Sequence, residues 1–291
     1  MKKILLLFTF ILFQQTIIAQ RNGVFLLKGN VDFKLSFNTC IYDKVYDDDG
    51  EKKSIAKTQS SISSLEIRGG LTNKINAIID LPFIINKVNG TPTKPSSKSI
   101  STNYSSTGDL DLGIEYLFIN NDPLKIIIGL HQSIGTGNNN QQIGLNTGYK
   151  DYHEQLKIKL AFEPSTKWNF ISYVGFINHN LGYGDEISGK VELNIIALKN
   201  LWFNVRVEGI QPLENGDKIN KPFANGKQIS DGLFYGLYGQ NRGYLKFSPE
   251  LHYEFTKNWG TFISIKKIFI GQEYQSGITY EFGLHYQLES N

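Results

Sequence analysis

Apolar and polar residues alternate along most of this chain with a period of two. Val31, Phe33, Leu35 and Phe37 interleave with Asp32, Lys34, Ser36 and Asn38. Leu110, Leu112, Ile114, Tyr116 and Phe118 interleave with Asp109, Asp111, Gly113 and Glu115. Near the end, Ile278, Tyr280, Phe282, Leu284, Tyr286 and Leu288 do the same with Thr279, Glu281, Gly283, His285 and Gln287. Such a period puts one set on each face of an extended strand. The stretches SSISSLEIRGGL, INAIIDLPFII, LKIIIGLHQ, LKIKLAF, NFISYVGFI, GDEISGKVELNII, LWFNVRVEG, YLKFSPELHYEF and WGTFISIKK continue the pattern. Helical periodicity is hard to find, and the count comes to about twelve strands.

Alternation alone does not distinguish a soluble sandwich, whose apolar face meets a protein core, from a membrane barrel, whose apolar face meets lipid. The connections do. Short turns (LTNK, NNDP, EPSTK, LKN, TKN) alternate with long polar loops at 89–107, 133–151, NHNLGYGD and 210–240. Every hairpin then has a tight end and an open end, which predicts an all-β, up-and-down antiparallel transmembrane β-barrel with periplasmic turns and external loops. A Greek-key sandwich would scatter its long connections and use shorter strands. Trp168, Trp202 and Trp259 each follow a short Lys-containing turn, and a belt of all three at one bilayer interface is expected. Pro82 and Pro249 fall inside strands and are expected at bulges or at the rim.

The N-terminus supports export. Lys2 and Lys3 precede the apolar run Ile4 to Phe13, Gln14 and Gln15 end it too early for a helical span, and Ala19 suits cleavage. The expected organisation is a signal peptide over 1–19 and one outer-membrane barrel domain over 20–291. A single cysteine, Cys40, rules out an internal disulfide and reads as a small filler. The net charge of +3 comes without a Lys/Arg block, so nothing points to nucleic acid. A negative mean hydropathy excludes a helical membrane protein but not a barrel with a polar lumen.

SSTGDLDLGIEYLF followed by LKIIIGLHQSIGTGNNN, then GLNTGYKDYHEQLKIKLAF, KWNFISYVGF, GDEISGKVELNI and SPELHYEFTKNWGTFISI with a terminal GITYEFGLHYQL, resembles the outer-membrane transporters of the "MetA-pathway of phenol degradation" family. The resemblance spans most of the mature chain on short, glycine-centred motifs. It implies a barrel related in kind to channels for fatty acids and aromatic hydrocarbons, moving small hydrophobic or aromatic molecules. Two departures stand out. The 89–107 loop is rich in Ser, Thr and Lys, and no plug is evident between Gln20 and the first strand, so gating by an N-terminal plug is not expected.

The parity opposite the apolar one collects Glu66, Arg68, Asp80, Asp109, Asp111, Glu115, Lys157, Lys159, Lys190, Glu192, Arg206, Glu208, Lys246, Glu250, His252, Glu254, Glu281 and His285. These are the candidate lumen-lining residues. Mixed charges in a narrow lumen are expected to pair across strands, with Arg206 beside Glu208, or to form a polar constriction that selects the solute. Asp109 and Asp111, two apart on one face, could share a cation or pair with a lumen Lys or Arg. Gly135-Thr136-Gly137 lacks the Lys and the helix of a phosphate loop. His131 and Ser133 have the spacing of a nucleophile and its base on one strand face, with Asn146 downstream, so a lipid hydrolase is an alternative reading. A non-transporting surface barrel is another. No cofactor is implied, and the expected partners are outer-membrane lipid, the barrel-assembly machinery and a small-molecule solute.

Overall fold

In the computed structural model the described residues are 24–46, 49–90, 100–137, 152–180, 184–213, 223–224, 227–228, 242–272 and 274–290. The expected signal peptide lies outside them. The strands are β1 Val31–Tyr46, β2 Lys52–Thr72, β3 Ile75–Gly90, β4 Ile100–Thr107, β5 Leu110–Asn121, β6 Leu124–Ile134, β7 His153–Ser165 and β8 Trp168–His179. There follow β9 Glu186–Leu198, β10 Leu201–Pro212, β11 Phe223–Ala224, β12 Lys227–Gln228, β13 Gly243–Glu254, β14 Trp259–Gln272, β15 Tyr274–Gln275 and β16 Ile278–Leu288. No α-helix occurs among the described residues.

Neighbours in sequence are neighbours in one antiparallel sheet, from β2 through to β16, and β1 pairs on one side with β16 and on the other with β2. The sheet is therefore closed. β4 and β5 both pair with β3 and act as one stave broken at Gly108, and β15 and β16 both pair with β1, giving a barrel of twelve staves. Only β11 and β12 stand apart, as a small hairpin.

The pleat sorts residues as the alternation requires, with the usual protein reversed. Large apolar side chains such as Ile114, Phe118, Leu130, Ile158, Val174, Ile263, Ile265, Tyr280 and Phe282 are exposed, whereas Glu115, Ser133, Glu192, Asn194, Asn204, Glu250 and Ser264 are buried. Closure with this pattern requires a hydrocarbon solvent outside, because water would penalise the band and lipid would penalise any unpaired edge.

Short turns gather at one end. Thr72, Ser165 and Thr256 each accept, through the side-chain hydroxyl, the N–H of the residue two further on, at 3.1, 3.2 and 3.3 Å, which folds the chain back within a few residues. Both prolines sit where the ladder is interrupted. Pro82 lies opposite the β4–β5 break and accepts from Gly108 N at 2.8 Å, and the β13–β14 ladder steps from Phe247–Lys267 to Glu250–Ser264 around Pro249.

Two expectations change. The segment 89–107 is shorter as a loop, because Ile100–Thr107 pairs with Phe83–Gly90 and continues the hairpin; its alternating Ser, Thr and Tyr side chains suit a wet strand as well as a loop. Trp168 and Trp259 are 39% and 43% exposed on the outer face, but Trp202 is 4% exposed and points inward. Trp202 is the second residue of its strand whereas the others are the first, and one residue reverses the face.

The two faces predict different mutational costs on the terminal strand. Leu284→Arg places a charge in lipid and should cost ~2–4 kcal/mol near the midplane, while His285→Arg places its charge in the lumen within reach of Asp32 and should cost under about 1 kcal/mol. Urea unfolding in lipid vesicles reads the difference. Equal losses would mean that the faces are misassigned.

Candidate functional site: the barrel lumen

Every described lumen-side strand contributes polar groups, and the closed sheet brings them together. Arg206 reaches Glu192 at 3.0 Å and Glu250 at 3.7 Å, and Asn204 donates to Glu250 at 2.7 Å. Lys190 adds a second cation to Glu192 at 3.1 Å. Glu208 pairs with Lys246 rather than with Arg206 as its nearest ion-pair partner, because cross-strand pairing sets Glu208 directly opposite Lys246. Glu115 is held by Lys159, Glu281 by Lys266 at 3.0 Å and Asp32 by His285, while His252 lies 3.9 Å from Glu254. At the long-loop end Arg242 grips Glu186 through Nε and Nη2 at 3.2 and 3.3 Å. A carboxylate buried in a lumen is tolerable only when so matched.

Within this network lies a cavity of about 360 Å³, lined among others by Arg68, Lys190, Glu192, Arg206, Glu208, Glu250, His252 and His285. Asp109 and Asp111 are not brought together on a shared ion. Asp109 accepts the Gly137 N–H at 2.8 Å and closes the β6 loop, whereas Asp111 faces His131 at 3.9 Å. No cluster suited to a metal occurs among the described residues. His131 and Ser133 are both buried on the lumen face of β6, so the wall separates them from membrane lipid. Asn146 lies outside the described residues.

The floor of the cavity is formed by the residues just before β1. Val24, Phe25 and Leu26, just before β1, are buried in the lumen at the short-turn end, where Val24 and Phe25 join a cluster with Leu117, Ile127 and Ala161, and Ile171 packs against it. The strands around them turn apolar side chains inward at this level, Leu117, Ile127 and Ala161 among them. Asn76, wholly buried, sets its amide against the Leu26 backbone; in the amide orientation that satisfies both groups it donates to the Leu26 carbonyl and accepts the Leu26 N–H, both at 3.0 Å, and Arg68 Nη1 reaches the Val24 carbonyl at 3.5 Å. Gly70 permits the close approach, since a Cβ there would stand 2.0 Å from the Leu27 carbonyl oxygen.

Sequence reasoning missed Val24–Leu26, Asn76, Lys34, Lys266 and Arg242. Lys266 was hidden by its neighbour Lys267, which blurs the parity of ISIKK; the alternation of Ser264 with Ile263 and Ile265 is the signal that assigns it inward.

Among solved structures, the barrel is similar to an outer membrane channel from Pseudomonas putida F1, with a TM-score of 0.67 at 13% identity over 90% of this chain and 97% of that one. It is also similar to the NanC porin, with a TM-score of 0.51 at 9% identity over 89% of this chain and 100% of that one. These likenesses establish the fold as that of bacterial outer-membrane barrels, the one expected from the sequence resemblance. No family model and no curated protein matches the chain.

Two substitutions test the lumen in planar bilayers. Arg206→Ala leaves Glu192 and Glu250 short of a cation and should shift the reversal potential toward cation selectivity. Asn76→Ala leaves both backbone groups of Leu26 unpaired, at about 1–3 kcal/mol each, and should raise conductance by loosening the floor. Unchanged currents in both variants would show that neither contact governs the path.

Proposed function

We propose that the chain is an outer-membrane channel that passes small molecules of hydrophobic or aromatic character without energy input. The tight turns then face the periplasm and the long loops the outside. The observation that carries this reading is the enclosed lumen whose charges largely neutralise one another around a cavity that also has apolar walls. Small inorganic ions gain little there, since most fixed charges already have a partner and such an ion sheds its whole water shell with no apolar contact in return. A solute with an apolar body sheds less water and meets Val24, Leu26, Ile171, Tyr173 and Phe262.

A cavity of this size, about 360 Å³, suits a single ring with its substituents. The short apolar floor narrows the periplasmic side, so passage requires its displacement. A surface barrel without transport is the second reading, and the uptake experiment decides between them. Lipid, as the solvent of the outer face, and the barrel-assembly machinery, as the route into the membrane, follow as partners of the same reading.

Reconstituted protein in vesicles with a lipopolysaccharide outer leaflet, which slows unaided crossing, should speed phenol uptake more than that of a polyol of similar mass. Uptake equal to that of empty vesicles for both solutes would remove the channel reading.

A further inference from the structure

Three charged side chains that line the central cavity, Lys34, Glu66 and Arg68, stand outside the ion pairs described above. Lys34 on β1 stands opposite Glu66 on β2, yet its ammonium lies 4.7 Å over the Phe262 ring. Arg68 stands opposite Asp32, two residues along the same face from Glu66, so it is a diagonal neighbour of Lys34. It gives one N–H to the Val24 carbonyl at 3.5 Å, and its buried Nε has no hydrogen-bond partner within the protein. Among the described residues, none of Lys34, Glu66 and Arg68 forms an ion pair at salt-bridge distance, whereas Asp32 is held by His285 and Glu115 by Lys159. Lys34 and Arg68 therefore face the cavity outside the ion pairs, with Glu66 the carboxylate across from Lys34 and Asp32 the one across from Arg68.

We propose that this part of the lumen binds a small organic anion with one carboxylate on an aromatic ring, an acid of about benzoate size. The guanidinium of Arg68 can take a carboxylate on two N–H groups, and Lys34 adds a point charge from the neighbouring strand. Water is partly excluded there, so both interactions gain strength over their value in bulk. The apolar body has its own surface, since Leu26, Ile171 and Phe262 line the same cavity, and the volume accommodates one ring. Glu66 acts as the brake: it lies opposite Lys34, lowers the local positive potential, and keeps the site from holding the anion too tightly for release. The inference rests on the channel reading and narrows its solute class.

Calorimetry on the full-length protein in detergent micelles tests it, with sodium benzoate and benzamide as probes of equal shape and different charge. Benzoate should bind about tenfold tighter than benzamide. Lys34→Met, which keeps an apolar stem over Phe262, should weaken benzoate about tenfold and leave benzamide unchanged. Glu66→Gln should tighten benzoate by several-fold. Equal affinity for the two probes, no loss in Lys34→Met, or no gain in Glu66→Gln would each overturn the site. Phenol flux in the same preparations separates the two readings: flux without preferential benzoate binding removes only the anion site, and benzoate binding without flux of any solute removes only the channel.

Discussion

Closure of the sheet is the constraint on which everything else rests. In hydrocarbon an unpaired N–H or C=O has no water to turn to, so β1 must satisfy both neighbours, as its register with β16 from Val31 to Ile41 and with β2 from Val31 to Tyr46 shows. Once the sheet is closed, the pleat has only two destinations for side chains. The apolar set goes to lipid, and the polar set is forced into a shared interior where each charge meets others on neighbouring strands. Ion pairing in the lumen is thus a consequence of closure and alternation together.

Packing at close quarters shows how tightly the interior is specified. Gly283 on β16 leaves room for the Phe262 ring on β14, since a Cβ at Gly283 would lie 2.4 Å from that ring and 2.5 Å from the Leu35 carbonyl oxygen. Phe262 in turn lies parallel to the His252 ring at 6.5 Å and carries Lys34 over its face. One residue without a side chain on the terminal strand therefore sets the wall of the cavity two strands away from Lys34. At the floor, Gly70 does the same for the backbone of Leu27.

The fold was largely legible in the sequence, because each strand carries its own record of which face meets lipid. Ile278 to Leu288 alternate in the chain as they do in the barrel. What alternation does not encode is which partner each inner residue takes. Arg206 reaches Glu192 and Glu250 on two flanking strands rather than Glu208 on its own, because cross-strand neighbours are nearer than residues two apart on one strand. Trp202 shows the opposite limit: its turn resembles the other two, but one added residue reverses its face. The floor at Val24–Leu26 was illegible for another reason. Three apolar residues ahead of a strand have no periodicity, and only the inward Asn76 and Ile127 give them a place.

The three tryptophans offer the most direct test that the exterior meets lipid and the interior does not. Variants retaining a single tryptophan, at 168, 202 or 259, can be reconstituted in vesicles of brominated lipid and their fluorescence compared with that in ordinary lipid. Strong quenching of Trp168 and Trp259 with little effect on Trp202 is the expected result. Quenching of Trp202 to the same degree, or of none of the three, would contradict the inside-out arrangement.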